Sequence, residues 1–381
     1  MALIVVAGAI ANKPFNGGEA WVRLSWLLGF QCLGCEIFFI EQIPSIAVSD
    51  PAVQYFRQTM EAFDLAGKAA LIDDNGANIY GPGASMLADL AGSADLLVNI
   101  SGHLRFAELL EHFKRKAFVD IDPGFTQFWN ALKIPGAQLA EHDAYFTIGR
   151  NIGSPDCPIP TCGIDWHPVS QPVVLDQWPA IAPGRFDRFT TIATWRGGYG
   201  PITFAGRQYQ LKVHEFRKLR DLPRRSAHQF EIALNIDPAD AVDRQALLDA
   251  GWTLVDPRAV AGDPRAFRNY VQGSSAEFSC AQGIYVETQS GWFSDRSVRY
   301  LASGKPVLVQ ETGLTGHYST GAGLLIFRTL DEAAAGADEI AANYARHSAA
   351  ARAVAERYFD ARKVLPEFLE HAGVAMGKAN K

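Results

Sequence analysis

The 381-residue chain is poor in cysteine and in net positive charge, and no apolar run in it is long enough to cross a bilayer. Each shortage excludes something. The five cysteines are Cys32, Cys35, Cys157, Cys162 and Cys280, an odd number that fits a reducing compartment better than a disulfide scaffold. Cys32 and Cys35 have zinc-like spacing, as do Cys157 and Cys162. The first pair has no histidine near it in sequence, and buried free thiols are the expected state. Lys and Arg number 35 against 41 Asp and Glu, giving a net charge of -6. No broad cationic surface is expected, and nucleic acid is not an expected partner. The local cluster Arg217, Lys218, Arg220, Arg224 and Arg225 reads as a solvated helix face. Leu3–Ile10 is apolar but too short to span a membrane, and it lacks a charged leader and a cleavage site. It is expected to be the first buried strand of a cytoplasmic protein. No metal motif stands out, and Gly8, Gly17 and Gly18 do not form the spaced fingerprint of dinucleotide binding. No metal and no cofactor are expected.

What is present is a globular composition, 48% hydrophobic and 20% charged, in a length that suits two domains. Apolar strand runs at Leu3–Ala9, Glu36–Ile40, Ala94–Ile100, Ala117–Ile121 and Ala144–Ile148 alternate with helical patterns. That alternation predicts βαβ crossovers and a parallel sheet. Pro155, Pro158, Pro160, Pro168, Pro172, Pro179 and Pro183 then break the texture, as a domain crossing would. A second αβ series follows, with strands expected at Phe189–Thr194, Phe230–Asn235, Trp252–Val255, Ile284–Glu287, Val307–Gln310 and Leu324–Phe327. Thr329 and Glu332 form a capping box before a helix. A helical tail is expected over Ser348–Ala372, kinked near Pro366. The fold expected is α/β, with two facing Rossmann-like domains over residues 1–182 and 183–350, a cleft between them, and a tail over 351–381.

The segment Ser290–Gly313 carries the most chemistry. Ser294 is placed to cap a helix with its hydroxyl, and Asp295 suits the positive helix end. Val298, Leu301 and Ala302 recur at helical spacing. Gly304 then supplies a left-handed stop before Pro306, and Val307, Leu308 and Val309 read as a buried strand. Thr312 and Gly313 leave the carboxyl end of that strand, where open α/β sheets bind ligands. A helix start beside a glycine loop is a natural phosphate seat.

Ala302-Ser303-Gly304-Lys305-Pro306-Val307, with the glycines around it, resembles the donor-binding element of the GT-B glycosyltransferases. The opening strand, Gly17-Gly18, the helix after them, and Leu33-Gly34 before the strand that reaches Glu41 are similar to the start of that fold. The resemblance implies a donor domain at the carboxyl-terminal half, a tail crossing back to the first domain, and metal-independent transfer from a nucleotide-diphosphate sugar. The two-glutamate motif of retaining members falls on Gly291 and Arg299, neither of them an acid, which favours inversion. The histidine that common inverting members carry after the first strand is also absent.

Sugar transfer needs positive electrostatics for the leaving diphosphate and a base for the acceptor hydroxyl. Donor-binding candidates are Trp195, Arg196, Lys212, Ser290, Gly291, Ser294, Asp295, Arg296, Ser297, Glu311, Thr312 and Gly313. Among them, Arg296 could clamp phosphate and the Trp195–Gly200 segment could stack on a base. Candidate bases are Asp122, at the end of an apolar strand, then His103 and Glu19. Asn16, Gly17 and Gly18 would border an acceptor cleft for a small molecule or carbohydrate. Two rivals share this layout: a nucleotide-sugar epimerase and a catalytically inert binding or scaffold protein.

Overall fold

The computed structural model describes residues 1–137 and 139–375. The chain divides into two compact units. The first comprises Met1–Gly153 and Pro160–Val174, and the chain re-enters it at Asp360. The second comprises Ser154–Ile159 and Leu175–Phe359.

The first unit holds strands β1 (Leu3–Ala7), β2 (Glu36–Ile43), β3 (Ala69–Asp73), β4 (Asn78–Tyr80), β5 (Leu96–Ile100), β6 (Lys116–Asp120), β7 (Ala144–Thr147) and β8 (Trp166–Pro168). Their order in the sheet is β4-β3-β2-β1-β5-β6-β7-β8, parallel except for β4 against β3. Helices α1 (Gly17–Cys32), α2 (Pro51–Ala62), α3 (Ala84–Ser93), α4 (Ala107–Leu110) and α5 (Phe125–Ala131) make the crossovers. The chain builds outward from β1 to β3, then returns to lay β5 on the other side of β1. This reversal is the switch point at which such sheets leave a crevice above their strand ends. Helix α1 is buried nearly all round, from Ala20 to Phe30, as a helix apolar on every face must be. Arg23 is the one charged side chain in that buried run.

The second unit holds β9 (Arg188–Thr194), a hairpin of β10 (Ile202–Phe204) and β11 (Arg207–Tyr209), β12 (Gln229–Asn235), β13 (Thr253–Val255), β14 (Ala276–Ser279), β15 (Val307–Gln310) and β16 (Leu324–Phe327). Its parallel sheet runs β13-β12-β9-β14-β15-β16, with its own reversal between β9 and β14. Its helices are α6 (Lys212–Leu219), α7 (Leu222–Arg225), α8 (Ala241–Asp249), α9 (Pro257–Ala261), α10 (Pro264–Gln272), α11 (Gly283–Thr288), α12 (Asp295–Ala302), α13 (Leu330–Ala342) and α14 (Tyr344–Tyr358). Helix α15 (Ala361–His371) belongs to the first unit and packs on α1. Phe368 of α15 meets Trp26 of α1 edge to face at 5.0 Å.

Three expectations are corrected. Ile284–Glu287 is helix α11 rather than a strand, because Ile284, Tyr285 and Thr288 bury one helical face and Gln289 ends it with φ at 49°. The strand lies earlier, at β14, where Glu277 interrupts the apolar pattern. The tail is two helices rather than one. It breaks at Phe359–Asp360, where the Asp360 carboxylate caps α15 by accepting from the Arg362 amide, and Pro366 sits inside α15. Gly17 and Gly18 lie in the first turn of α1 rather than in a turn ahead of it.

Candidate functional site

In the second unit the carboxyl ends of β14 and β15 meet the start of α12. Here a narrow cavity of about 10 Å³, room for roughly one water, is lined by Ser279, Ala281, Trp292, Phe293, Ser294, Ser297, Val309, Gln310 and Leu314. Two loops frame it and are cross-tied. The Gly291 amide donates to the Thr312 carbonyl at 2.6 Å, and the Thr312 hydroxyl donates to the Trp292 carbonyl at 2.5 Å. Gly291 and Gly313 take φ of 77° and 91°, a backbone that side chains other than glycine rarely adopt.

Ser297 is fully buried, lines the pocket, and its hydroxyl has no hydrogen-bond partner. The buried Ser290 hydroxyl also lacks one. Leaving a buried hydroxyl unpaired costs roughly 1–3 kcal/mol, so such groups mark a missing partner. Ser294 occupies the N-cap position of α12, but its hydroxyl makes no capping bond. The expected cap is therefore absent, and the first turn of α12 opens onto the pocket without it.

Other donor candidates are bound to the protein itself. Arg296 donates to Glu277 Oε1, the Ile192 carbonyl and Ser279 Oγ at 2.5, 2.7 and 2.9 Å. Its guanidinium is a core counter-ion to a fully buried carboxylate rather than an open clamp. Glu311 accepts from the Gly313 amide at 2.7 Å, the Leu314 amide at 2.6 Å and the Thr315 hydroxyl at 2.6 Å, and pairs with Arg328 at 3.0 Å. Burial pushes its carboxyl pKa up. The Thr315 hydroxyl, the two amides and Arg328 outweigh that and hold it below the ordinary range. The Gly313 amide, expected to face a ligand phosphate, already serves this internal anion. Asp295 is ion-paired with Arg299, which is fully buried beneath the Trp178 ring.

Trp195 is buried in the core, packs on Phe216, and donates its indole N–H to Asp243 at 3.0 Å. It offers no face for stacking. Arg196 holds Asp240 with both arms of its fork. The Lys212 amide opens α6 by donating to Gln282 Oε1 at 2.8 Å. Little in the residue pattern points to Gln310, which lines the cavity. Gln310 there donates to buried Glu215 at 2.7 Å and accepts from the Ala281 amide at 3.1 Å, a polar network inside an apparently apolar strand run.

In the first unit, the candidate bases lie at strand carboxyl ends and in the first turn of α1. Asp120 is enclosed by four donors: the Asp122 amide, Thr126, Gln127 and Thr147, all between 2.7 and 3.1 Å. Asp122 is half-buried just beyond it. Asn16 caps α1 by accepting from the Glu19 amide at 3.2 Å, and the Glu19 carboxylate is engaged by Arg23. His103 follows β5. Burial first, then the positive charges of Arg23, Lys13 and Arg105, push its imidazole down to about 3, so it is neutral at physiological pH.

Sequence reasoning did not single out Glu41 as a functional group. It is fully buried at the end of β2, and its two oxygens accept from the amides of Ile10, Ala11 and Asn12 at 2.7 to 2.8 Å. Burial raises its carboxyl to about 7 against the opposing pull of those amides and of Arg23. The only signal in the sequence is an acid closing an apolar strand run. Among the described residues, no three of His, Cys, Asp and Glu gather to hold a metal ion, and no helix is long and apolar enough to cross a membrane.

No family model and no curated protein matches the chain. Solved structures do, over its whole length. An alpha-glucosyltransferase in complex with UDP and a 13-mer DNA containing a HMU base superposes with a TM-score of 0.63 at 11% identity, covering 97% of this chain and 99% of that one. Sucrose-phosphate synthase from Thermosynechococcus elongatus gives 0.57 at 10% identity, covering 97% and 98%. Anabaena HepE in complex with UDP gives 0.57 at 11% identity, covering 98% and 100%. The chain therefore has the GT-B glycosyltransferase fold, with two Rossmann-like sheets of eight and six strands.

Proposed function

We propose that the chain transfers a sugar from a nucleotide-diphosphate sugar to a hydroxyl acceptor, with inversion and without a metal. The observation that carries this reading is the fully buried, partnerless Ser297 hydroxyl beside the start of α12. Helix dipole, first-turn amides and hydroxyl together suit an anionic oxygen. The cavity as it stands has room for about one water, so a single phosphoryl oxygen is the part of the donor that it suits. That two of the superposed structures hold UDP supports the same choice.

In the reaction the acceptor oxygen forms a bond to the anomeric carbon while the bond from that carbon to the diphosphate oxygen breaks. The leaving diphosphate takes up negative charge, which the α12 start and the hydroxyls of Ser294 and Ser297 would stabilise. A base removes the acceptor proton. Asp122 is the preferred candidate, because it lies half-buried just beyond the carboxyl end of β6, where open α/β sheets present their ligands. The low proton affinity of His103 makes it a weak base.

The test is calorimetric titration of UDP into the wild type and Ser297→Ala. Removing an unpaired hydroxyl should leave folding intact and weaken UDP about tenfold, the worth of one hydrogen bond to a charged group. Equal affinity in both proteins would remove the pocket from the donor site. A second reading, a chain that binds donor but transfers nothing, is favoured by Gly291 and buried Arg299 at the positions of the two glutamates. Product formation from any sugar nucleotide and acceptor rules it out.

A further inference from the structure

The first unit carries a concentration of positive charge that the transferase reading does not use. It sits at the sheet reversal, above the carboxyl ends of β1 and β5. Arg23 reaches this point from α1: a Cβ on Gly8, the residue after β1, would lie 2.8 Å from its Cγ and 3.2 Å from its Nε. Gly8 thus leaves the space that the guanidinium stem occupies. Arg23 is 1% exposed, and although one of its terminal nitrogens binds Glu19, its Nε is buried with no partner. Lys13, in the loop after β1, and Arg105, in the loop after β5, are exposed, and neither is ion-paired among the described residues.

Burial first, and then the field of all three cations, keep the His103 ring neutral, and it can still offer a hydrogen bond. The acids nearby do not balance them. Glu19 neutralises part of Arg23, and Glu41 is enclosed by the three amides of the β1 loop. The loop bearing Arg105 is fixed, because Gln42 accepts from the Arg105 and Phe106 amides at 2.7 and 2.9 Å while donating to Asp74. His103 is set by a tight turn in which Ser101 and Gly102 both take positive φ, 53° and 64°. Strained backbone at a strand end, held by packing, is commonly kept for a site.

We infer that the strand ends of β1 and β5 form an anion seat built from Lys13, Arg105 and His103, with the buried Arg23 guanidinium behind it, and that it receives a phosphate monoester on a small acceptor. The assignment to an acceptor rests on the transferase reading; the seat itself does not. A dianion there offsets the two unpaired cations, Lys13 and Arg105, which a neutral hydroxyl compound cannot do. It also returns basicity to His103, since a negative charge beside the ring favours its protonated form.

The test uses the full chain with inorganic phosphate as the probe and the His103 ring signals in NMR as the readout. Saturable phosphate binding should shift those signals and raise the His103 pKa. In Lys13→Ala/Arg105→Ala, two exposed changes, the phosphate dissociation constant should rise at least tenfold while UDP affinity stays that of the wild type. A hexose 6-phosphate should displace phosphate, and the neutral hexose should not. Phosphate binding that leaves the His103 signals unmoved, or that survives the double substitution, overturns the seat. A single-stranded 13-mer DNA that displaces phosphate while the hexose phosphate fails to do so overturns the small-acceptor class. If phosphate behaves as stated but UDP does not bind the wild type, the seat stands and the transferase reading is what fails.

Discussion

Arg296 was a candidate phosphate clamp by sequence and is a buried counter-ion by structure, and the two roles part company in one experiment. Replacing it with Met keeps a long apolar stem and removes the guanidinium. Glu277, 0% exposed, then loses its only cation among the described residues, and its second oxygen already has no partner. Removing one member of such a pair costs about 3–5 kcal/mol, two to four decades in the folding equilibrium of the second unit. With a urea dependence of ~2 kcal/mol/M, the unfolding midpoint of that unit should fall by about 1.5–2.5 M. Adding Glu277→Leu removes the stranded carboxylate and should recover most of the loss, giving a coupling energy of roughly 2 kcal/mol or more. The assay is urea unfolding followed by tryptophan fluorescence, with UDP calorimetry on the same proteins. A single variant that keeps its midpoint and loses UDP affinity refutes the reasoning, because the guanidinium would then act on the ligand.

Two further predictions follow from the same accounting of partners. Glu41 and His103 should drive stability in opposite directions over one pH window. The folded pKa of Glu41 is raised from 4.5 to about 7, so its contribution is full below pH 4.5 and is lost as pH rises toward 7. The folded pKa of His103 is depressed from 6.5 to about 3, so its contribution is present above pH 6.5 and is lost as pH falls toward 3. Glu41→Gln should therefore leave stability rising with pH between 4.5 and 6.5, and His103→Gln should leave it falling; equal slopes in denaturant titrations contradict both assignments. Thr312→Val should remove the tie to the Trp292 carbonyl, lowering stability by about 1 kcal/mol and loosening UDP binding; hydrogen exchange at the Gly291 amide should speed up, and unchanged protection would show that Thr312 does not hold the loops together.

Much of the layout was readable because it depends on local pattern. β1, β2, β9, β12 and β15 are apolar runs with turn residues at their ends, and they form the centres of the two sheets. Gly304 ends α12 with φ at 70°, and Thr329 caps α13 from its own side chain. What escaped depends on distant partners. β14 was hidden because Glu277 sits in a strand, and only Arg296, from a helix 19 residues on, makes that tolerable. Ile284–Glu287 has β-favouring residues that tertiary burial folds into a helix. At the site, the loop glycines and serines were legible as residue types. Their engagement was not: whether the Gly313 amide faces a ligand or Glu311, and whether Trp195 faces a base or Phe216, is set by packing that no spacing encodes. Arg23 did carry a sign, the one charge within the apolar run from Ala20 to Phe30, but its meaning required seeing Gly8 beneath it.

Glu41 and Glu311 do the same work in different units: each carboxylate gathers the main-chain N–H groups of a loop that leaves a strand end. A loop tethered this way keeps its shape while the protein is empty. An arriving substrate then encounters ready-made walls and loses little affinity to ordering them. The same tethers reserve those dipoles for the protein, so an incoming phosphate must be gripped by hydroxyls, helix ends and free cations instead.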